Sequence, residues 1–229
     1  MRLINQVFMQ EQNSKRTALV VGATGVVGSY CVEYLASDNN YDKVILLLRR
    51  KLEINSKKVI QHVIDFDNIQ QYHSIIKADD IFCCIGTTAK KVKDKKEYYK
   101  IDVTYPYEIG KIALENHAKQ YLIVTAVGAN SRSSSYYLKF KGQVEELLID
   151  LHYPVSHFFR PSLIIGNRSE FRIFEKLFIG ITKLTSLLMV GKLRKYKPLH
   201  GWQIAKSMVK NAKTLKEGVF VHHYSEILD

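Results

Sequence analysis

The stretch Thr17–Gly28, TALVVGATGVVG, most constrains what this chain can fold into. From Thr17 to Gly22 the run is almost unbroken in its apolar character, the pattern of a strand buried on both faces. Gly25–Ala36 then takes helical spacing. Three glycines fall at the junction, and each answers a separate physical need. Gly22 permits the tight turn out of the strand, Gly25 lets backbone approach a phosphate, and Gly28 lets helix and strand pack closely. Thr24, Val26 and Val27 complete the loop. The helix start presents unpaired N–H groups and the positive end of the helix dipole, which suits an anion. A glycine triplet in an arbitrary loop means little. At a strand-to-helix junction it points to the pyrophosphate of a dinucleotide.

The rest of the chain repeats the strand-then-helix rhythm. Apolar runs predict strands at Lys43–Leu48, Val59–Ile64, Asp80–Ile85, Tyr121–Ala126 and Val155–Arg160. Helical spacing covers Tyr98–His117, with Pro106 in the first turn of its second part, and Tyr136–Asp150. Strands without polar interruption that alternate with helices imply an α/β fold, a doubly wound parallel sheet of the Rossmann type. After Pro161 the pattern loosens into a helix at Phe171–Leu188, an amphipathic helix at Gly201–Ala212 and a late strand at Gly218–Tyr224. One domain over residues 1–229 is the expected count. It carries a polar extension at residues 1–16 and a small substrate-side segment at residues 161–229.

The end of the second strand reads the cofactor. A carboxylate there would accept from the 2′-hydroxyl of NAD, whereas arginine pairs with the 2′-phosphate of NADP. Arg49 and Arg50 stand directly after Leu48, and guanidinium matches phosphate with paired donors. NADP(H) is therefore expected in preference to NAD(H). Asp65 and Phe66 follow the third strand, where the carboxylate is either an acceptor for the adenine amino group or a turn former. Gly86, Thr87 and Thr88 follow the fourth strand, at the lip where the cofactor would lie.

Lysine and arginine total 34 against 22 acidic residues, a formal charge of +12. The surplus is spread out, with local density at Lys90–Lys96 and Lys192–Lys197, and neither cluster has interleaved aromatic residues. A solvated basic surface is the reading; nucleic acid is not an expected partner. No run is long and apolar enough to span a bilayer, and residues 1–16 lack an apolar secretion segment. Cys31, Cys83 and Cys84 cannot build a disulfide framework, so a reducing cytoplasm is expected. His222 and His223 point to opposite faces of a strand and should not share a metal.

Tyr137 and Lys141 form the second constellation. Four residues apart on a helix, they share a face, and an ammonium beside a phenol favours the phenolate. Lowering of the Tyr137 pKa is therefore expected, making it an acid/base. Tyr107–Lys111 has the same spacing, but Tyr137 opens the helix at the C-terminal edge of the fifth strand, where open α/β sheets bind ligands. Thr125, at that strand's end, supplies a hydroxyl to polarise a substrate carbonyl; Ser131, Ser133, Ser134 and Ser135 compete for the role.

Val21–Ser29, Leu46–Arg50, Cys83–Thr88, Thr125–Asn130, Tyr136–Glu146 and Phe158–Gly166, in this order, resemble the extended and atypical short-chain dehydrogenase/reductases. Within them the chain is similar to the Tat-interacting oxidoreductase-like subfamily. The resemblance implies bound NADPH, Tyr137 and Lys141 as catalytic pair, and Arg160, Pro161 and Ser162 beside the nicotinamide. Two departures stand out: the family commonly has serine at the Thr125 position and glycine at the Ser162 position. The expected function is an NADPH-dependent carbonyl reductase with an unidentified small-molecule carbonyl substrate, as a monomer or an oligomer. One alternative is a non-enzymatic NADPH-sensing protein; such proteins generally lose the tyrosine–lysine pair. The other is a nucleotide-sugar epimerase or dehydratase, disfavoured by the short segment after Pro161 and by Arg49-Arg50. Phe171, Phe174, Phe178, Met189 and Trp202 are the expected pocket lining.

Overall fold

The computed structural model describes residues 15–87, 92–166, 191–214 and 216–229. Seven strands form one sheet: β1 (Arg16–Val21), β2 (Tyr41–Leu48), β3 (Val59–Val63), β4 (Asp80–Cys83), β5 (Gln120–Val124), β6 (Val155–Phe159) and, last in the chain, Gly218–His222. Every neighbouring pair is parallel. The order is β3-β2-β1-β4-β5-β6 with Gly218–His222 on the far edge. The chain runs outward from β1 to β3, then jumps back across β1 to start β4. At that reversal the connections leave in opposite directions, opening a crevice at the strands' C-terminal ends.

Side chains alternate across the sheet with period two. Ala18, Val20, Val44, Leu46, Phe82, Leu122 and Phe159 face one layer, in which α1 (Gly28–Ser37) contributes Cys31, Val32 and Leu35. Leu19, Val21, Ile45, Ile81, Ile123 and Phe158 face the other layer. There α3 (Tyr105–Glu115) contributes Ile109 and Ile112, and α4 (Tyr136–Asp150) contributes Val144 and Leu148. Both faces are covered, which explains why the strands lack polar alternation. β3 is the exception: as an edge strand it is only half buried, and Val63 stays exposed.

Three features refine the expected elements. The helical segment expected at Tyr98–His117, with Pro106 in the first turn of its second part, is three pieces: α2 (Lys95–Tyr99), a π-helical turn (Lys100–Thr104) and α3, whose first turn does hold Pro106. The late strand joins the main sheet beside β6. A two-stranded ladder of β7 (Ile164–Ile165) and β8 (Leu199–His200) leads into α5 (Gly201–Asn211), which packs on α1. Numbering in chain order makes Gly218–His222 β9, followed by α6 (Tyr224–Leu228). The predicted helix at Phe171–Leu188 lies outside the described residues, as do residues 1–14.

Candidate dinucleotide site and catalytic cleft

The glycine loop sits at the reversal between β1 and β4. Gly22 has φ of +83°, a left-handed conformation, and a Cβ there would lie 2.6 Å from the Cys84 carbonyl carbon. The turn thus needs glycine twice over, for its dihedral and for the passage of β4's exit. A Cβ on Gly28 would overlap the Gly22 carbonyl oxygen. Gly25 donates its amide to that same oxygen at 2.9 Å. Helix α1 begins after Val27 with no side-chain cap and no acidic residue in its first turn. Its N–H groups and dipole are left to attract an anion, so a pyrophosphate fits the cradle. Thr24 is exposed at the rim and Val26 half-buried, while the Val27 side chain belongs to the core, leaving only its backbone for a ligand.

Arg49 and Arg50 follow β2 directly and are both exposed. Neither pairs with a carboxylate among the described residues. Asp65 caps a 3₁₀ turn: its carboxylate accepts from the Asp67 amide at 3.0 Å and from Asn68 Nδ2 at 2.7 Å. That is the turn-forming role, and it leaves lone pairs on an exposed group. Phe66 packs on Tyr105, with ring centroids 5.6 Å apart.

Lys141 is buried in α4, its Nζ 2.6 Å from Asp102 Oδ1 on the π-helical turn. Asp102 Oδ2 accepts the Thr87 amide at 3.0 Å, and Gly86 packs bare backbone against the pair. Thr88 lies outside the described residues. Tyr137, one turn before Lys141, remains 37% exposed. The expected lowering of its pKa does not hold. Burial raises it, Lys141 pulls it down, and Asp102 raises it again, for a net upward direction. Burial would lower Lys141, but the charge and contact of Asp102 outweigh that and raise it. The ammonium has a buried counter-charge that offsets part of its pull on the phenol, and burial sets the upward direction. Lys111, partner in the alternative pair with Tyr107, is simply exposed.

Thr125 also departs from expectation. It is 4% exposed, and its hydroxyl reaches Glu145 Oε1 at 2.6 Å. A hydroxyl has one proton to donate, and here the buried carboxylate accepts it, which leaves none for a carbonyl in the cleft in this arrangement. Glu145 in turn holds Arg160, whose Nε donates at 3.0 Å and whose Nη2 bonds the second oxygen. The Pro161 carbonyl accepts the Val127 amide at 2.9 Å, so the segment Arg160–Pro161–Ser162 is stitched to the exit of β5. Of the competing serines, Ser131 donates to Glu146 at 2.5 Å and Ser133 accepts the Ser135 amide at 3.2 Å. Ser134 and Ser135 are exposed.

Sequence reasoning missed Asp102, Glu145 and Gly142. Glu145 had a signal: it follows Lys141 by one turn and so lies on the same buried face. Gly142 had one too, since a glycine inside a helix marks close approach; a Cβ there would overlap backbone of Asn130 and Ser131. Asp102 had only the general rule that a buried lysine needs a counter-charge. Of the expected pocket lining, Trp202 is 41% exposed and stacks on His200. Phe171, Phe174, Phe178 and Met189 lie outside the described residues. Among the described residues no helix is long and apolar enough to cross a membrane.

Comparison with known proteins agrees with this fold. Residues 18–146 match the NAD dependent epimerase/dehydratase family. The chain is 32% identical to the protein named FMP52, mitochondrial, of Kluyveromyces lactis, covering 85% of this chain and 88% of that one. It is 30% identical to the HTATIP2 protein of Rattus norvegicus, covering 71% of this chain and 68% of that one. A short chain dehydrogenase family protein from Francisella tularensis shares the fold, with a TM-score of 0.65 at 16% identity over 94% of this chain and 100% of its own. The chain belongs to the NAD dependent epimerase/dehydratase family, as an atypical short-chain dehydrogenase/reductase related to HTATIP2 and FMP52.

Proposed function

We propose that this protein is an NADPH-dependent oxidoreductase that reduces a carbonyl compound. The observation that carries the reading is a half-exposed Tyr137 standing over a buried Lys141 at the C-terminal edge of β4 and β5. The bound cofactor supplies hydride. Tyr137, protonated at neutral pH, gives its proton to the carbonyl oxygen as charge builds there. Lys141 holds a positive charge beneath the phenol and would also hold the nicotinamide ribose hydroxyls. Arg49 and Arg50 would clamp the 2′-phosphate, and the amides of the glycine loop the pyrophosphate. Asp65 and Phe66 would border the adenine, and Gly86, Thr87 and Thr88, with Arg160, Pro161 and Ser162, the nicotinamide end.

Calorimetry with NADPH and NADH, followed by turnover on phenanthrenequinone and a panel of aldehydes and ketones, tests this. Expected are tighter binding of NADPH and turnover that falls by about 10²-fold or more in Tyr137→Phe with cofactor affinity kept. Equal affinity for the two coenzymes would overturn the NADP preference.

A second reading is favoured by one observation: the Thr125 hydroxyl is committed to Glu145, so the cleft lacks that donor for a substrate carbonyl. On it the chain binds NADPH and signals its level without turnover. Tight NADPH binding with no turnover on any member of the panel would select this reading.

For the compartment, three free thiols support a reducing cytoplasm. Because the Kluyveromyces lactis relative is named mitochondrial, fractionation of the tagged full chain decides between them.

A further inference from the structure

Three segments far apart in sequence meet at one carboxylate. Asp102, 1% exposed, lies on the π-helical turn between α2 and α3. Its Oδ1 lies against Lys141 Nζ of α4, and its Oδ2 accepts the amide of Thr87 just past β4. Thr87 is held a second time, its carbonyl accepting the Tyr98 hydroxyl at 3.0 Å. A Cβ on Gly86 would come within 3.3 Å of Lys141 Nζ and 3.6 Å of Asp102 Oδ1, so the loop backbone runs close beside the pair.

Few other groups act on the phenol. Besides Lys141 and Asp102, Tyr98 of α2 faces Tyr137, and Cys83 of β4 faces Lys141. Burial pushes the Cys83 thiol up to about 12 and raises the Tyr98 phenol, so both are neutral near pH 7. Glu145, the next acid along α4, is turned to Arg160 and Thr125. Among the described residues, the charged groups that act on Tyr137 are one ammonium and one carboxylate.

We propose that Asp102 is a positioning residue of this site: it fixes Lys141 and the Gly86–Thr87 loop in one arrangement and opposes the ammonium's field at the Tyr137 hydroxyl. Acting in the same direction as burial, it extends to higher pH the range over which Tyr137 is a proton donor, suited to reduction. That consequence rests on the reductase reading; the electrostatic relation does not, and it is measured without substrate.

The test is a pH titration of ring-labelled tyrosine by carbon-13 NMR in the full chain, with Tyr137 assigned by its loss in Tyr137→Phe. In Asp102→Asn the ammonium acts unopposed, and the Tyr137 midpoint is expected to fall by about one unit or more. The double variant Asp102→Asn/Lys141→Met leaves no lone buried ion and guards against misfolding of the single one. Its midpoint should stay within about half a unit of wild type, because both opposing charges are gone. A midpoint unmoved in Asp102→Asn, or shifted by more than about one unit in the double variant, overturns the proposal. NADPH-dependent reduction of phenanthrenequinone is read separately: its alkaline limb should move with the midpoint. A shifted midpoint without turnover in any variant would sink the reductase reading and leave the role of Asp102 standing.

Discussion

Arg160 and Glu145 form a two-pronged ion pair beneath the cleft, and the carboxylate that receives both guanidinium nitrogens also takes the proton of Thr125. Glu145 is 3% exposed, while the Arg160 side chain keeps 25% of its surface in solvent. Removing the negative charge strands a partly buried guanidinium, while the Thr125 hydroxyl keeps the Phe159 carbonyl as an acceptor at 3.3 Å. Glu145→Gln should therefore cost about 2–3 kcal/mol, somewhat less than a fully buried pair would lose. Thr125→Val should cost about 1 kcal/mol, the worth of one hydrogen bond. Urea unfolding of the three proteins measures both. The same Thr125→Val variant separates a structural from a catalytic hydroxyl. A loss of turnover of about 10²-fold at unchanged NADPH affinity would put Thr125 back in the cleft.

The glycine loop gives a sharper outcome. Gly22 and Gly28 both meet backbone rather than flexible side-chain ends where a Cβ would sit. Gly28→Ala must push α1 away from the β1 turn, which moves the N–H groups that face the pyrophosphate. NADPH affinity should fall by about 10-fold or more, and the melting temperature should drop as well. Thr24→Ala, at the exposed rim, is the control and should leave the melting temperature within error.

Much of this arrangement was legible in the chain because it follows from local pattern. β1, β2, β4, β5 and β6 are buried on both faces, so their apolar runs stand out, and the glycines mark a turn whose geometry admits nothing larger. β7 and β8 are two residues each and leave no periodic trace. The π-helical turn at Lys100–Thr104 hides inside helical spacing, yet it is what carries Asp102 to Lys141. Charge pairs such as Asp102–Lys141 and Glu145–Arg160 join elements distant in sequence, so no spacing rule announces them. The spacing shows Lys141 beside Tyr137, but neither the burial that raises the phenol nor the Asp102 charge that adds to it.

Arg49 and Arg50 bear on coenzyme choice. Both are exposed and lie directly beyond β2, free of carboxylate partners among the described residues. A charge-assisted pair with a 2′-phosphate contributes about 1.5–3 kcal/mol, so Arg49→Ala or Arg50→Ala should weaken NADPH by about 10- to 100-fold. NADH, which lacks that phosphate, should bind within about two-fold of its wild-type affinity. The NADPH preference should also shrink as salt is raised, since the pair is solvent-facing. Equal losses for both coenzymes would mean that the arginines shape the pocket without reading the phosphate.

Acid sensitivity should come from a histidine pair between β6 and β9. His157 Nδ1 lies 2.9 Å from His222 Nε2, with Phe159 and Phe220 against the rings. Burial lowers His157 to about 4, helped by His222, and burial lowers His222 as well. Glu226 pulls His222 back up, and His223 pushes it down. In the unfolded chain both imidazoles titrate near their ordinary value of about 6.5. Between there and about 4 the unfolded state binds more protons, so stability is complete above that ordinary value and is lost as pH falls through the window. The slope is at most about 1.4 kcal/mol per pH unit for each histidine. Asp80 runs the other way. Burial raises its carboxyl to about 6 despite Arg16, Tyr41 and Gln120, so its protonation in the fold partly offsets the loss. The difference between wild type and His157→Gln isolates the imidazole. Urea unfolding at pH 7 and pH 5 should show a larger loss for wild type than for the variant, because glutamine cannot take up a proton. Equal losses in the two proteins would mean that the pair is not what weakens the fold in acid.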